Sequence, residues 1–296
     1  MNRANLYASL RDLLDVDHPK YLQYAMECIH EALKYRTEDR VVLEYSWTQH
    51  CHADVLRQFA TLPGVNRHAM LRDAIAANAE ALRFRTKIHV PEDYMRTQYQ
   101  QAELDRDFSD ISAHDQRIET LMHGLDACDE VLEICDHYAD FWRADICDIK
   151  SSLLARLADA LPDAASTYVF AARDANELAI SLYTEADYAH LAEAWLNRMH
   201  IEHVAYKHGV DGAHALANMI NAAQIVYAYR THTTIYPPLQ AKLSVEIANV
   251  ILSLPHDQRP PHIDLHLLAH TGLDVATRLR HEPLQRAAEH ALRHIP

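Results

Sequence analysis

Trp47, His50, Asp54 and Arg57 are spaced by threes and fours, and 49 residues on Arg96, Tyr99, Glu103 and Arg106 repeat that spacing. On a helix, such spacing places the side chains of each set on one face. Both sets combine an aromatic ring, a carboxylate and an arginine. That mixture suits an extended peptide, because rings anchor and arginines pair with carboxylates. It equally suits a solvated helix face laced with its own ion pairs.

The chain has 22 histidines, which raises metal chemistry. His262, His266 and His270 recur every four residues, and His200, His203 and His208 form a similar run. Zinc needs three or four ligands converging at about 2.1 Å on one point. Three histidines along a straight helix cannot converge in that way. Glu27 and His30 have the ExxH spacing of di-iron bundles, but no second ExxH accompanies them. His114-Asp115 resembles the paired ligands of helical phosphohydrolases without the rest of that pattern. HExxH, a Walker loop, GxSxG and GxGxxG are all absent. The motifs therefore assign no catalytic residue, no metal ligand and no cofactor. A helical metal-dependent enzyme built on clustered His, Asp and Glu stands as an alternative.

What positions these residues is a repeat. EALKYRT (31–37) returns as EALRFRT (80–86). Counting from the last letter, Thr37 and Thr86 are followed at similar intervals by Asp136, Thr184, Thr231 and His281. Eleven residues after the first two anchors, Thr48-Gln49 and Thr97-Gln98 also match. Ala53, Ala102 and Ala248 occupy similar places, where a small side chain lets helices approach closely. Breaks fall at 62–66, 161–166, 208–212 and 255–261, and they separate segments with helical apolar spacing. Helix pairs renewed at this interval form a solenoid, since one hairpin cannot bury its apolar faces alone. The recurrent Arg36, Arg85, Arg230 and Arg280 read as helix closures favoured by the helix dipole.

AIAANAEALRFRT (74–86) followed by PEDYMRTQYQQAELDRDF (91–108) resembles the second and first helices of the tetratricopeptide-repeat superfamily, in its long variety of roughly 50 residues per unit. The likeness spans about residues 20–254 and loosens after residue 140. Where the family has a leucine before its small residue, this chain has Gln101-Ala102 and His52-Ala53. The resemblance implies an all-α fold, a right-handed superhelix of helical hairpins. Its first helices would line a concave groove, with the eight residues Trp47, His50, Asp54, Arg57, Arg96, Tyr99, Glu103 and Arg106 facing inward. The corresponding later positions Ile146, Ile149, Leu153 and Ile201 are apolar and read as core. The implied function is a non-catalytic scaffold or adaptor that holds a peptide or protein partner. A ligand-sensing regulatory repeat protein working with a separate effector is a third reading.

Composition sets outer limits. Five glycines in 296 residues disfavour folds built on tight turns and phosphate loops. The net charge of −14 argues against nucleic acid as a partner. Five cysteines without a CxxC read as buried thiols. No apolar run approaches the roughly 20 residues that span a bilayer, and acids stand where a signal peptide has its apolar core. The expectation is a cytoplasmic protein of one domain over residues 1–296. It would have an N-terminal cap at about 1–18, repeats over about 20–281 and a capping helix at about 282–296. A poorly covered solenoid end would allow a homodimer.

Overall fold

A computed structural model of the chain describes residues 18–135, 140–184, 186–230, 232, 235, 237–261 and 263–295. Helices account for nearly all of them, and no strand occurs among the described residues. The described helices are α1 (His18–Leu33), α2 (Val42–Phe59), α3 (Arg67–Leu82), α4 (Pro91–Ser109), α5 (His114–Cys135), α6 (Asp140–Ala160), α7 (Ala165–Leu182), α8 (Tyr188–Lys207), α9 (Gly212–Tyr229), α10 (Pro237–Leu252), α11 (Leu265–Arg278) and α12 (Glu282–His294). They fall into two compact units, divided between residues 139 and 140. The repeat anchors Asp136 and Thr231, the histidine His262 and all but the last residue of the expected N-terminal cap lie outside the described residues.

Helices α2, α4, α6, α8 and α10 begin at 42, 91, 140, 188 and 237, so the period of the sequence is the period of the helices. The expected breaks end them. Asn66 caps α3 by accepting from the Ala69 N–H at 3.1 Å, and Asp264 caps α11 through Leu267 at 2.9 Å. Pro91 opens α4, followed by the acids Glu92 and Asp93 in its first turn.

In the first unit α2 packs along α3 and α4 along α5, with α1 against α2 and α3 against α4. Ala53, Leu56, Leu71, Ala74, Leu104 and Phe108 form one buried cluster across α2, α3 and α4. In the second unit α6 pairs with α7, α8 with α9 and α10 with α11. A core cluster there joins Leu196 and Met199 of α8 to Met219 and Val226 of α9 and to Leu243 and Ile247 of α10. Ile146, Ile149, Leu153 and Ile201 are buried, as their apolar character predicts. Gly272 marks a close approach of α11 to α10: a Cβ there would overlap the Val245 Cγ2 methyl. Helix α12 packs on α10 and α11 and buries Leu284, Ala288 and Ala291.

The first helices of successive pairs also touch laterally in each unit. In the first, Arg57 of α2 reaches Glu103 and Asp107 of α4. In the second, Asn197 of α8 donates to Asp148 of α6 at 2.8 Å, and Lys242 of α10 meets Glu193 of α8 at 2.8 Å. These pairs lie 46–50 residues apart in the chain, one repeat length.

Candidate functional site

The eight residues singled out in the sequence lie on α2 and α4, and all eight are partly exposed. Arg96 of α4 sits over the Trp47 ring of α2 at 5.7 Å, and the His50 ring lies 5.6 Å from that indole. At the other end Arg57 donates to Glu103 at 2.9 Å and to Asp107 at 2.8 Å. Arg106 donates to the other Asp107 oxygen. These ion-paired side chains are only about a fifth exposed, at 22%, 20% and 23% for Arg57, Glu103 and Asp107. The two arginines hold the Asp107 carboxyl well below the usual carboxylate range despite its burial, and Glu103 and Asp107 raise Arg57. Asp54 accepts from Gln58 at 2.9 Å on its own helix. The pairing of Arg57 is thus interhelical and holds α2 to α4.

One deeply buried residue, expected from its position to close a helix, belongs to the same region. Arg85, just past α3, is 1% exposed and lies 5.1 Å from the Trp47 ring centre. It donates to Thr97 Oγ1 of α4 at 2.7 Å and approaches Ser46 Oγ of α2 at 3.4 Å, while its Nη2 has no hydrogen-bond partner. Arg36 makes the equivalent bond to Thr48 at 3.1 Å. The helix-dipole reading of these two arginines is therefore replaced. Each reaches forward to the threonine of the next first helix, which explains why RT and TQ repeat together. In turn Thr48 and Thr97 donate to the carbonyls of Glu44 and Asp93. Burial, then Arg85 and Arg96, push His50 down to about 3, so it is neutral at pH 7.

Beneath this surface runs a polar network that the sequence did not reveal. Asn78 of α3, fully buried, donates to the Thr97 carbonyl at 3.1 Å and to Gln101 at 2.8 Å. Gln101 donates to Asp105 at 3.0 Å, and Asp105 meets His123 of α5 at 2.7 Å. With its amide nitrogen turned toward α2, Gln100 donates to His50 Nδ1 and to Asn78 Oδ1, both at 2.7 Å. Gln101 stands where the family resemblance calls for leucine, and this network is its physical reason. The available signal was Asn176, two repeat lengths after Asn78, which donates to the Ala194 carbonyl at 2.9 Å. A second recurrent motif is Tyr45–Gln49–Glu80 and Tyr94–Gln98–Glu130. In each, a tyrosine hydroxyl donates to the glutamate of the following helix and accepts from the glutamine.

The described histidines of these runs meet separate partners. His200 faces Glu246 at 3.5 Å, His203 faces Ser253 at 3.0 Å, and His208 faces Asp159 at 3.3 Å. The His266 and His270 rings stack at 6.5 Å. Among the described residues, no three His, Cys, Asp or Glu side chains gather as metal ligands would. No helix among the described residues is long and apolar enough to cross a membrane. Comparison of the sequence with models of known protein families and with curated proteins gives no match in either case.

Proposed function

We propose that each unit is a stretch of right-handed α-solenoid of the tetratricopeptide kind, and that the protein is a non-catalytic scaffold holding a peptide or protein partner on its first helices. The observation that carries this reading is the joining of the two sequence-matched sets, on α2 and α4, into one partly exposed surface around Trp47 and Arg96. Lateral contacts one repeat length apart support the solenoid.

The surface is not uniform. Arg57 and Arg106 are engaged by Glu103 and Asp107, so they hold helices together before they meet a ligand. The Trp47 end differs, with an indole flanked by Arg85 and Arg96 beside a neutral His50. That end suits a carboxylate-bearing peptide segment, with the ring as anchor and the partly exposed Arg96 as the nearest positive charge. Reversing Arg57 or Arg106 would break the fold's own ion pairs, so it is a poor probe of binding.

Arg96→Glu and Tyr99→Ala probe the surface instead. Peptides enriched from a display library of short random sequences should carry an acidic residue. Each substitution should weaken them about tenfold, or roughly 1.4 kcal/mol. Enriched peptides that bind both variants as tightly as the parent protein, or no enrichment at all, would remove this reading.

A further inference from the structure

A separate pocket lies within the second unit. It has a volume of about 250 Å³ and is lined by Glu177 and Ile180 of α7, Trp195 and Arg198 of α8, and Asn218 and Asn221 of α9. Each of three helices contributes two residues at i, i+3, so the lining comes from one face of each. It is flanked by the second helices α7 and α9. The volume sits just under the roughly 300–1,000 Å³ of sites for drug-sized ligands, which points to a metabolite of amino-acid size.

Among the described residues, little of the hydrogen-bonding capacity of this lining is spent. Arg198 donates through Nε to Glu202 at 2.8 Å, and its two terminal nitrogens have no hydrogen-bond partner among the described residues. Glu202 is fully buried and is also held by Arg173, with contacts of 2.6 and 3.1 Å. The buried carboxylate therefore holds the Arg198 guanidinium through Nε, and Arg198 lines the pocket. Glu177 shares the pocket with Arg198 but forms no salt bridge with it, so the two charges stand apart. The Asn218 and Asn221 side chains are exposed and make no hydrogen bond among the described residues. Ile180 and Trp195 supply the apolar wall.

We propose that this pocket binds a small zwitterion, a free amino acid with an apolar side chain. Its carboxylate would take the terminal nitrogens of Arg198 with help from an asparagine amide. Its ammonium would pair with Glu177, and its side chain would lie on Ile180 and Trp195. Charge complementarity selects this class. A ligand carrying only an anion meets Glu177 unpaired, one carrying only a cation meets Arg198 unpaired, and a neutral sugar uses neither charge.

Calorimetric titration of the full chain with L-leucine tests the assignment, with 4-methylpentanoate, isopentylamine and glucose as the other arms. L-leucine, or another apolar amino acid from a full panel, should bind with a dissociation constant of about 1 mM or tighter, and the other three arms should be at least about tenfold weaker. Glu177→Gln and Asn221→Ala change only exposed side chains, and each should weaken the amino acid by about tenfold with an unchanged melting temperature. The proposal falls if no amino acid binds up to about 10 mM, if the carboxylate, amine or sugar binds as well as the zwitterion, or if both variants bind like the parent. Because the residues differ from those of the α2–α4 surface, Arg96→Glu should leave this binding intact.

Discussion

Arg85 shows how one residue can be structural and still shape a surface. A guanidinium at 1% exposure is costly to bury, and burial holds its pKa below the usual arginine range although Asp93 pulls it up. Its main compensation is the hydrogen bond to Thr97. Removing an acceptor from a buried charged donor costs about 1.5–3 kcal/mol. Thr97→Val should therefore lower unfolding free energy by about that amount. Thr48→Val should cost about 1 kcal/mol or less, because Arg36 is only partly buried and water can replace its acceptor. Urea unfolding of the two variants side by side checks this; equal costs would mean that burial of the arginine is not what matters. The Arg36/Arg85 recurrence was plain in the letters. The role was not, since a cation just past a helix end satisfies the dipole argument equally well until its reach to the next helix is known.

Between helices, the Asp105–His123 pair ties α4 to α5. Its hydrogen bond to Asp105 raises the His123 pKa, while burial raises that of Asp105. A histidine raised above its unfolded value of roughly 6.5 contributes stability in full below that value and loses it as pH rises through the folded value. His123→Ala should thus be more damaging at about pH 6 than at about pH 9. The difference should be held to about 1 kcal/mol or less, because the His123 side chain is 63% exposed and water screens the pair. Thermal unfolding of both proteins across that range checks the sign, and a cost that grows with pH would contradict the assignment. At this scale the sequence was informative about helix boundaries. Asn66, Pro91 and the segments around 62–66 and 161–166 punctuate the chain by local chemistry, and local chemistry is what a sequence displays. Pairings such as Arg57 with Glu103 join residues 46 positions apart, and only packing reveals them.

For the molecule as a whole, charge is the property that composition controls most directly. A net charge of −14 with 22 histidines means that protonation near pH 6 takes the chain through neutrality, in keeping with an isoelectric point near 5.8. Self-repulsion vanishes there, and association is favoured. Solubility should pass through a minimum between about pH 5 and pH 6.5 and recover on further acidification while the fold persists. Light scattering against pH checks this, and a flat profile from neutrality to about pH 5 would contradict it.

Helical period, helix boundaries and the burial of Ile146, Leu153 and Ile201 were determined by the sequence alone, because they follow from apolar spacing and capping within short windows. The tertiary structure decided which polar side chains are spent and which are free. Arg57 and Glu103 belong to one matched pattern, yet packing turns them toward each other, while Arg198, Glu177 and Asn221 share no motif and meet around one pocket. Whether a charged group is available to a ligand depends on what the neighbouring helix sets against it, and that neighbour is distant in the chain.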